Sequence, residues 1–117
     1  MRKEIEKRLV VFAGLIVDVS KTLDGSTASI CLTNQIIRSG TSAALNYGEA
    51  QGAESKNDFI HKTSIVLKEL RETLVNLQII DVTKLSGQPE MVAKALDESD
   101  QLVAIFQKTV MTARSRK

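Results

Sequence analysis

Residues 37–50, Ile37-Arg38-Ser39-Gly40-Thr41-Ser42-Ala43-Ala44-Leu45-Asn46-Tyr47-Gly48-Glu49-Ala50, set Arg38, Ser42, Asn46 and Glu49 in steps of four, four and three. Those steps keep side chains on one face of an α-helix. The following segment answers with Lys62, Glu69 and Glu72 inside a helical pattern of its own. Both segments are otherwise patterned for burial, and a charge left unpaired in a packed interface costs several kcal/mol. The polar stripe Arg38, Ser42, Asn46, Glu49, Glu69 and Glu72 therefore predicts two helices meeting along a shared seam. If they turn back on each other across Gly52–Glu54, opposed residues have numbers summing to about 107. That register sets Arg38 against Glu69, with Glu72 one turn away, and Asn46 near His61 and Lys62. The expected role of the stripe is to fix register and orientation, with Arg38→Ala costing about 3–5 kcal/mol if the pair is buried.

Outward from this seam the chain is helical throughout. Upstream, Ile5, Leu9, Phe12, Ile16, Val19 and Leu23 recur at helical spacing. Asp24-Gly25-Ser26 ends that helix, and Ser26 or Thr27 caps the next. The second helix carries Ile30, Ile37, Thr41, Ala44, Leu45 and Gly48 and stops near Gly52. Ser55 reads as the third N-cap, with Asp58 in the place of the capping-box Glu. The third helix buries Phe59, Thr63, Val66, Leu67, Leu70, Leu74 and Leu77 and ends at Lys84-Leu85-Ser86-Gly87. Pro89 opens the fourth, where proline is tolerated, with Val92, Ala95, Leu96, Ser99, Leu102, Val103, Phe106, Val110 and Ala113 along it.

Short connections imply antiparallel neighbours, so the expected fold is all-α: one domain over residues 1–117, an up-down-up-down four-helix bundle. The first helix has further apolar positions at Val10, Val11, Ala13, Leu15 and Val17. One bundle seam does not cover them all, and an unpartnered apolar face marks an interface. Self-association is expected.

Cys31 is the single cysteine, so no disulfide forms within the chain and a cytoplasmic setting is expected. The apolar run Leu9–Val17 is about half the length needed to span a bilayer, and no membrane partner is expected. Catalytic chemistry finds few candidates. His61 is the sole histidine, which excludes a histidine metal cluster and the paired Glu-x-x-His pattern of di-iron bundles. Ser39, Ser42 and Ser64 lack a base and an oxyanion arrangement. No catalytic residue, metal ligand or cofactor is expected, and the chain reads as a non-enzyme.

Charge is modest in total, a formal +2, but uneven in distribution. An up-down bundle gathers both termini, the end of the second helix and the start of the third at one pole. Arg2, Lys3, Lys7, Arg8, Lys56, Lys62, Lys108, Arg114, Arg116 and Lys117 fall there, against Glu4, Glu6, Glu49, Glu54 and Asp58. Lys3, Lys7, Arg8, Lys56, Lys62, Lys108, Arg114 and Arg116 are the candidate nucleic-acid contacts. A rim of such cations attracts a polyanion with strong salt dependence, and the scarcity of aromatics argues against base stacking.

Four spaced motifs carry a resemblance. They are Ile37-Arg38-Ser39-Gly40-Thr41-Ser42, Asn46-Tyr47-Gly48-Glu49-Ala50, Ser55-Lys56-Asn57-Asp58-Phe59-Ile60-His61-Lys62, and Leu67-Lys68-Glu69 with Glu72-Thr73. Together they resemble the signature of bacterial four-helix-bundle proteins first noted as reading frames within intervening sequences of large-subunit ribosomal RNA genes. The accessory variability determinant of diversity-generating retroelements belongs to the same broad group. The resemblance implies a bundle that assembles as a homo-oligomeric ring, typically a pentamer, without enzymatic activity. For the retroelement members it implies nucleic-acid binding and a reverse transcriptase partner. The expected function is thus an oligomeric scaffold or accessory protein binding RNA or DNA weakly at its basic pole. The alternative is an adaptor that docks a larger enzyme, such as a reverse transcriptase, without touching nucleic acid.

Overall fold

The serine caps start two of the helices. Ser26 Oγ accepts from the Ser29 N–H, and Ser55 Oγ accepts from the Asp58 N–H at 3.0 Å, each satisfying a donor that the first helical turn leaves open. In the computed structural model, which describes residues 2–116, the elements are α1 (Arg2–Ser20), α2 (Thr27–Gln51), α3 (Lys56–Thr83) and α4 (Pro89–Ser115). No strand occurs among the described residues. Lys117, counted above with the basic pole, lies outside them.

Helix α1 packs on α2, α2 on α3, α3 on α4, and α4 closes on α1, giving a four-helix bundle 49 Å long and 20 Å across. The two loops at one end are tied together. Gly87 N–H donates to Thr22 O at 2.9 Å, and the Thr22 and Ser86 hydroxyls lie 2.6 Å apart. At the other end Gln51 reaches Glu6, Lys62 reaches Glu49, and Arg114 reaches Ser64.

The core follows the expected spacing on α1 and α4 and on most of α3. There Phe59 and Leu74, expected inside, are only half-buried, and Thr73, Asn76 and Ile80 take buried positions as the face drifts along the long helix. Leu9, Phe12, Ile16 and Val19 of α1 meet Val66, Leu67, Leu70 and Leu77 of α3 and Val92, Ala95, Leu102, Phe106 and Val110 of α4 in one cluster. Tyr47 packs edge-on to Phe106 with ring centroids 5.3 Å apart, a favoured aromatic geometry.

Helix α2 corrects the sequence reading. Its buried face is Ser29, Ile36, Ser39, Gly40, Ala43, Tyr47 and Ala50, whereas Ile30 and Leu45 are 60% and 68% exposed and Gly48 is exposed. Close approach outweighs side-chain hydrophobicity here. A Cβ on Gly40 would stand 3.0 Å from Ile16 Cγ2, and the buried Ser39 and Thr73 hydroxyls meet at 2.7 Å. Small residues let the α2 backbone sit against α1 and α3, and that seating turns the larger aliphatics outward.

Candidate nucleic-acid interface

The polar stripe forms, but at the edge of the α2–α3 seam. Arg38 Nη1 lies 3.5 Å from Glu69 Oε2 and Nη2 lies 3.2 Å from Glu72 Oε2. The Arg38 side chain is 59% exposed and that of Glu69 only 9%. The expected partners are correct, whereas the burial assumed for the arginine is not. Burial raises the pKa of Glu69, Glu72 raises it further, and Arg38 and Lys68 pull it down. Asn46 does not bond His61 or Lys62: its amide donates to Ser42 O and Ser42 Oγ, both at 2.9 Å. Lys62 instead donates to Glu49 at 2.7 Å, and that carboxylate raises the lysine pKa. The stripe therefore splits into a Ser42–Asn46 pair within α2 and two separate ion-paired groups across the seam, Arg38 with Glu69 and Glu72, and Lys62 with Glu49.

The eight candidate cations divide. Lys3, Lys7, Lys56, Lys108, Arg114 and Arg116 are exposed and form no ion pair among the described residues. Arg8 and Lys62 are engaged. Arg8 donates through Nε and Nη2 to both oxygens of Glu98, at 2.8 and 2.9 Å, and through Nη2 to Gln101 at 2.8 Å. That paired geometry, which raises the Arg8 pKa, takes it out of the free basic set. Glu98 is not among the carboxylates that helix order assigns to this pole, because the overlap of α1 with the longer α4 is not visible in the sequence.

Sequence reasoning missed a second basic group. Lys68 and Arg71 stand on the outer face of α3, one turn apart, with Arg38 of α2 on one flank and Arg114 of α4 on the other. These four line a groove of about 840 Å³. The spacing of residues 64, 68, 71 and 75 could have flagged the α3 part. The contribution of Arg114 depends on the α3–α4 register, in which its Nη2 reaches Ser64 Oγ at 3.4 Å. His61 and Cys31 are exposed. Among the described residues no group of His, Cys, Asp and Glu is placed to hold a metal ion, and no helix is long and apolar enough to cross a membrane.

Comparison with known proteins agrees with this architecture. The chain is similar to a crystal structure of a protein with unknown function from the S23 ribosomal protein family of Bacteroides thetaiotaomicron VPI-5482. The TM-score is 0.81 and the identity 30%, covering 91% of this chain and 97% of that one. No curated protein matches the chain. The model of a family described as 23S rRNA-intervening sequence protein matches residues 2–108. By that match, which spans nearly all four helices, the chain belongs to the 23S rRNA-intervening sequence protein family.

Proposed function

We propose that this protein is a non-enzymatic, homo-oligomeric scaffold that holds nucleic acid weakly, and without reading its sequence, at the end of the bundle where both chain termini lie. The observation that carries this is the set of exposed cations at that end, Lys3, Lys7, Lys56, Lys108, Arg114 and Arg116, none of which has a carboxylate partner among the described residues. Contacts of this kind position a phosphate backbone without selecting bases. The intervening sequences in the family's name make structured ribosomal RNA the natural first ligand to try. The working unit is a single up-down-up-down bundle, as the pairings Arg38–Glu69, Glu49–Lys62 and Arg8–Glu98 favour. It closes into a ring, the pentamer of the family resemblance, in a cytoplasmic setting.

The test is fluorescence anisotropy with a labelled RNA hairpin across a salt series. Affinity is expected to fall steeply between about 50 and 200 mM salt and to differ little between hairpins of unlike sequence. Arg114→Gln with Arg116→Gln should flatten the salt slope and leave the melting temperature unchanged. Absence of binding at the lowest salt, or binding indifferent to salt, would remove the proposal. The alternative would then take its place: an adaptor docking a larger enzyme, such as a reverse transcriptase, through exposed aliphatics like Leu45 and Val82, which are 68% and 79% exposed.

A further inference from the structure

The outer face of α3 changes character along its length. Ser64, Lys68 and Arg71 occupy its first half, and Val75 and Ile79 follow at 52% and 41% exposure. Helix α2 brings Arg38 to one side, and helix α4 brings Arg114 to the other. The result is a trough between three helices, roughly 22 Å from Ser64 to Ile79 at 1.5 Å per residue. Leu67 and Val110, both buried, lie in its floor.

Within the trough, Arg38 is held by Glu69 and Glu72. Lys68, Arg71 and Arg114 have no carboxylate partner among the described residues. Successive turns of α3 are about 5.4 Å apart, so Arg114 beside Ser64, then Lys68, then Arg71 make a line of cations at one-turn steps. That line runs parallel to the helix and begins at Arg114, which also belongs to the basic end of the bundle. A linear polyanion seated at that end would have a continuous cationic path leading onto the side of the molecule. An aliphatic floor beneath the charges reduces solvation of the contacts and strengthens each of them.

From this geometry we infer that the α2–α3–α4 trough binds the sugar–phosphate backbone of a single-stranded nucleic acid, with Lys68, Arg71 and Arg114 on successive phosphates. The inference rests on the nucleic-acid reading above and extends it from the rim to the flank. Without an aromatic side chain in the trough, binding is indifferent to base identity.

The experiment compares two charge variants of the full chain by anisotropy with a fluorescein-labelled twenty-nucleotide oligouridylate across a salt series. One is Lys68→Gln with Arg71→Gln; the other, at the rim, is Lys3→Gln with Lys7→Gln. Both sets are exposed and helix-compatible, so circular dichroism melts should match those of the unmodified protein. The trough variant should lose about tenfold or more in affinity at low salt. Its log-affinity against log-salt slope should become shallower by about 1.4, from two phosphate contacts at 0.7 each. Oligoadenylate of equal length should behave the same way. If the trough variant binds like the unmodified protein while the rim variant weakens, the trough inference is wrong and the rim reading stands. If the unmodified protein binds neither this strand nor an RNA hairpin, both fail together. If poly-L-glutamate of matched charge binds in the trough and oligouridylate does not, the trough takes an acidic polypeptide, and the inference is overturned.

Discussion

Glu69 sits in a buried position beside Glu72, and its carboxyl is held above the ordinary value despite Arg38. An acid whose pKa is raised by folding binds its proton more tightly in the folded state. The stability it contributes is fully present below the unfolded value near 4.5 and is lost as the pH rises through the folded one. Glu69→Gln stays neutral at every pH, so it should melt at or above the unmodified protein at pH 7. It should also gain less on acidification toward pH 5. A loss of more than about 1 kcal/mol at pH 7 would mean that the Arg38 pairing outweighs burial. Arg38→Ala should cost about 1 kcal/mol or less, since the arginine side chain is 59% exposed and exposed ion pairs contribute little. The 3–5 kcal/mol appropriate to a buried pair does not apply. Removing Arg38 also removes a charge that lowers the Glu69 pKa, so the same variant should show a steeper pH dependence, readable from melts between pH 5 and pH 8.

Among the elements, α2 decides how closely the bundle packs, and two glycines separate packing from helix propensity. Gly40→Ala would press a methyl onto Ile16, which is fully buried, and should cost about 1–3 kcal/mol, offset by at most about 1 kcal/mol of improved propensity. Gly14→Ala on α1 meets nothing within 4 Å and should gain about 0.5–1 kcal/mol. Urea melts of both variants check the pair, and a loss at Gly14 would place that residue in a subunit contact. Lys84 ends α3 in the left-handed region at φ 55°, so Lys84→Gly should also stabilise, by about 1 kcal/mol. The number of helices and the core faces of α1 and α4, with most of that of α3, were legible because large apolar residues mark them at regular spacing. The Ser26 and Ser55 caps were legible from their place before those runs. Phe59 and Leu74 were misplaced because Thr73, Asn76 and Ile80 share the α3 inner face. The α2 face was not legible, because its buried residues are mostly Ser, Gly and Ala, while Ile30 and Leu45 point to solvent. For the candidate site, the partners of Arg38 were legible from the register of an α2–α3 hairpin. The Arg8–Glu98 pair and the α3 trough depend on registers between α4 and its neighbours, which no periodicity within one helix encodes.

At the scale of the whole molecule the exposed aliphatics bear on assembly. Val10 and Val11 on α1 are 57% and 62% exposed, and Ala13, Leu15 and Val17 around them are only partly covered. A helix with apolar residues on both flanks of its outer face, beyond those its own bundle covers, is suited to a contact surface. A ring needs a heterologous interface, in which one face of a subunit meets a different face of the next and the rotation closes. If α1 supplies one of those faces, light scattering at tens of micromolar should report a mass several times the 12.8 kDa of one chain, five times for the pentamer implied by the family resemblance. Val10→Glu combined with Val11→Glu places two carboxylates on that face while leaving the core residues Leu9 and Phe12 untouched. The variant should run as a folded monomer with an unchanged helical circular dichroism spectrum. It should also bind RNA more weakly, because the cations of separate subunits no longer act together and the avidity of a shared rim is lost. A variant that stays oligomeric would move the interface to another exposed aliphatic patch, such as Ile30 and Leu45 of α2. An unmodified protein that is monomeric at these concentrations would remove the ring altogether and confine the proposed nucleic-acid binding to the few cations of a single bundle.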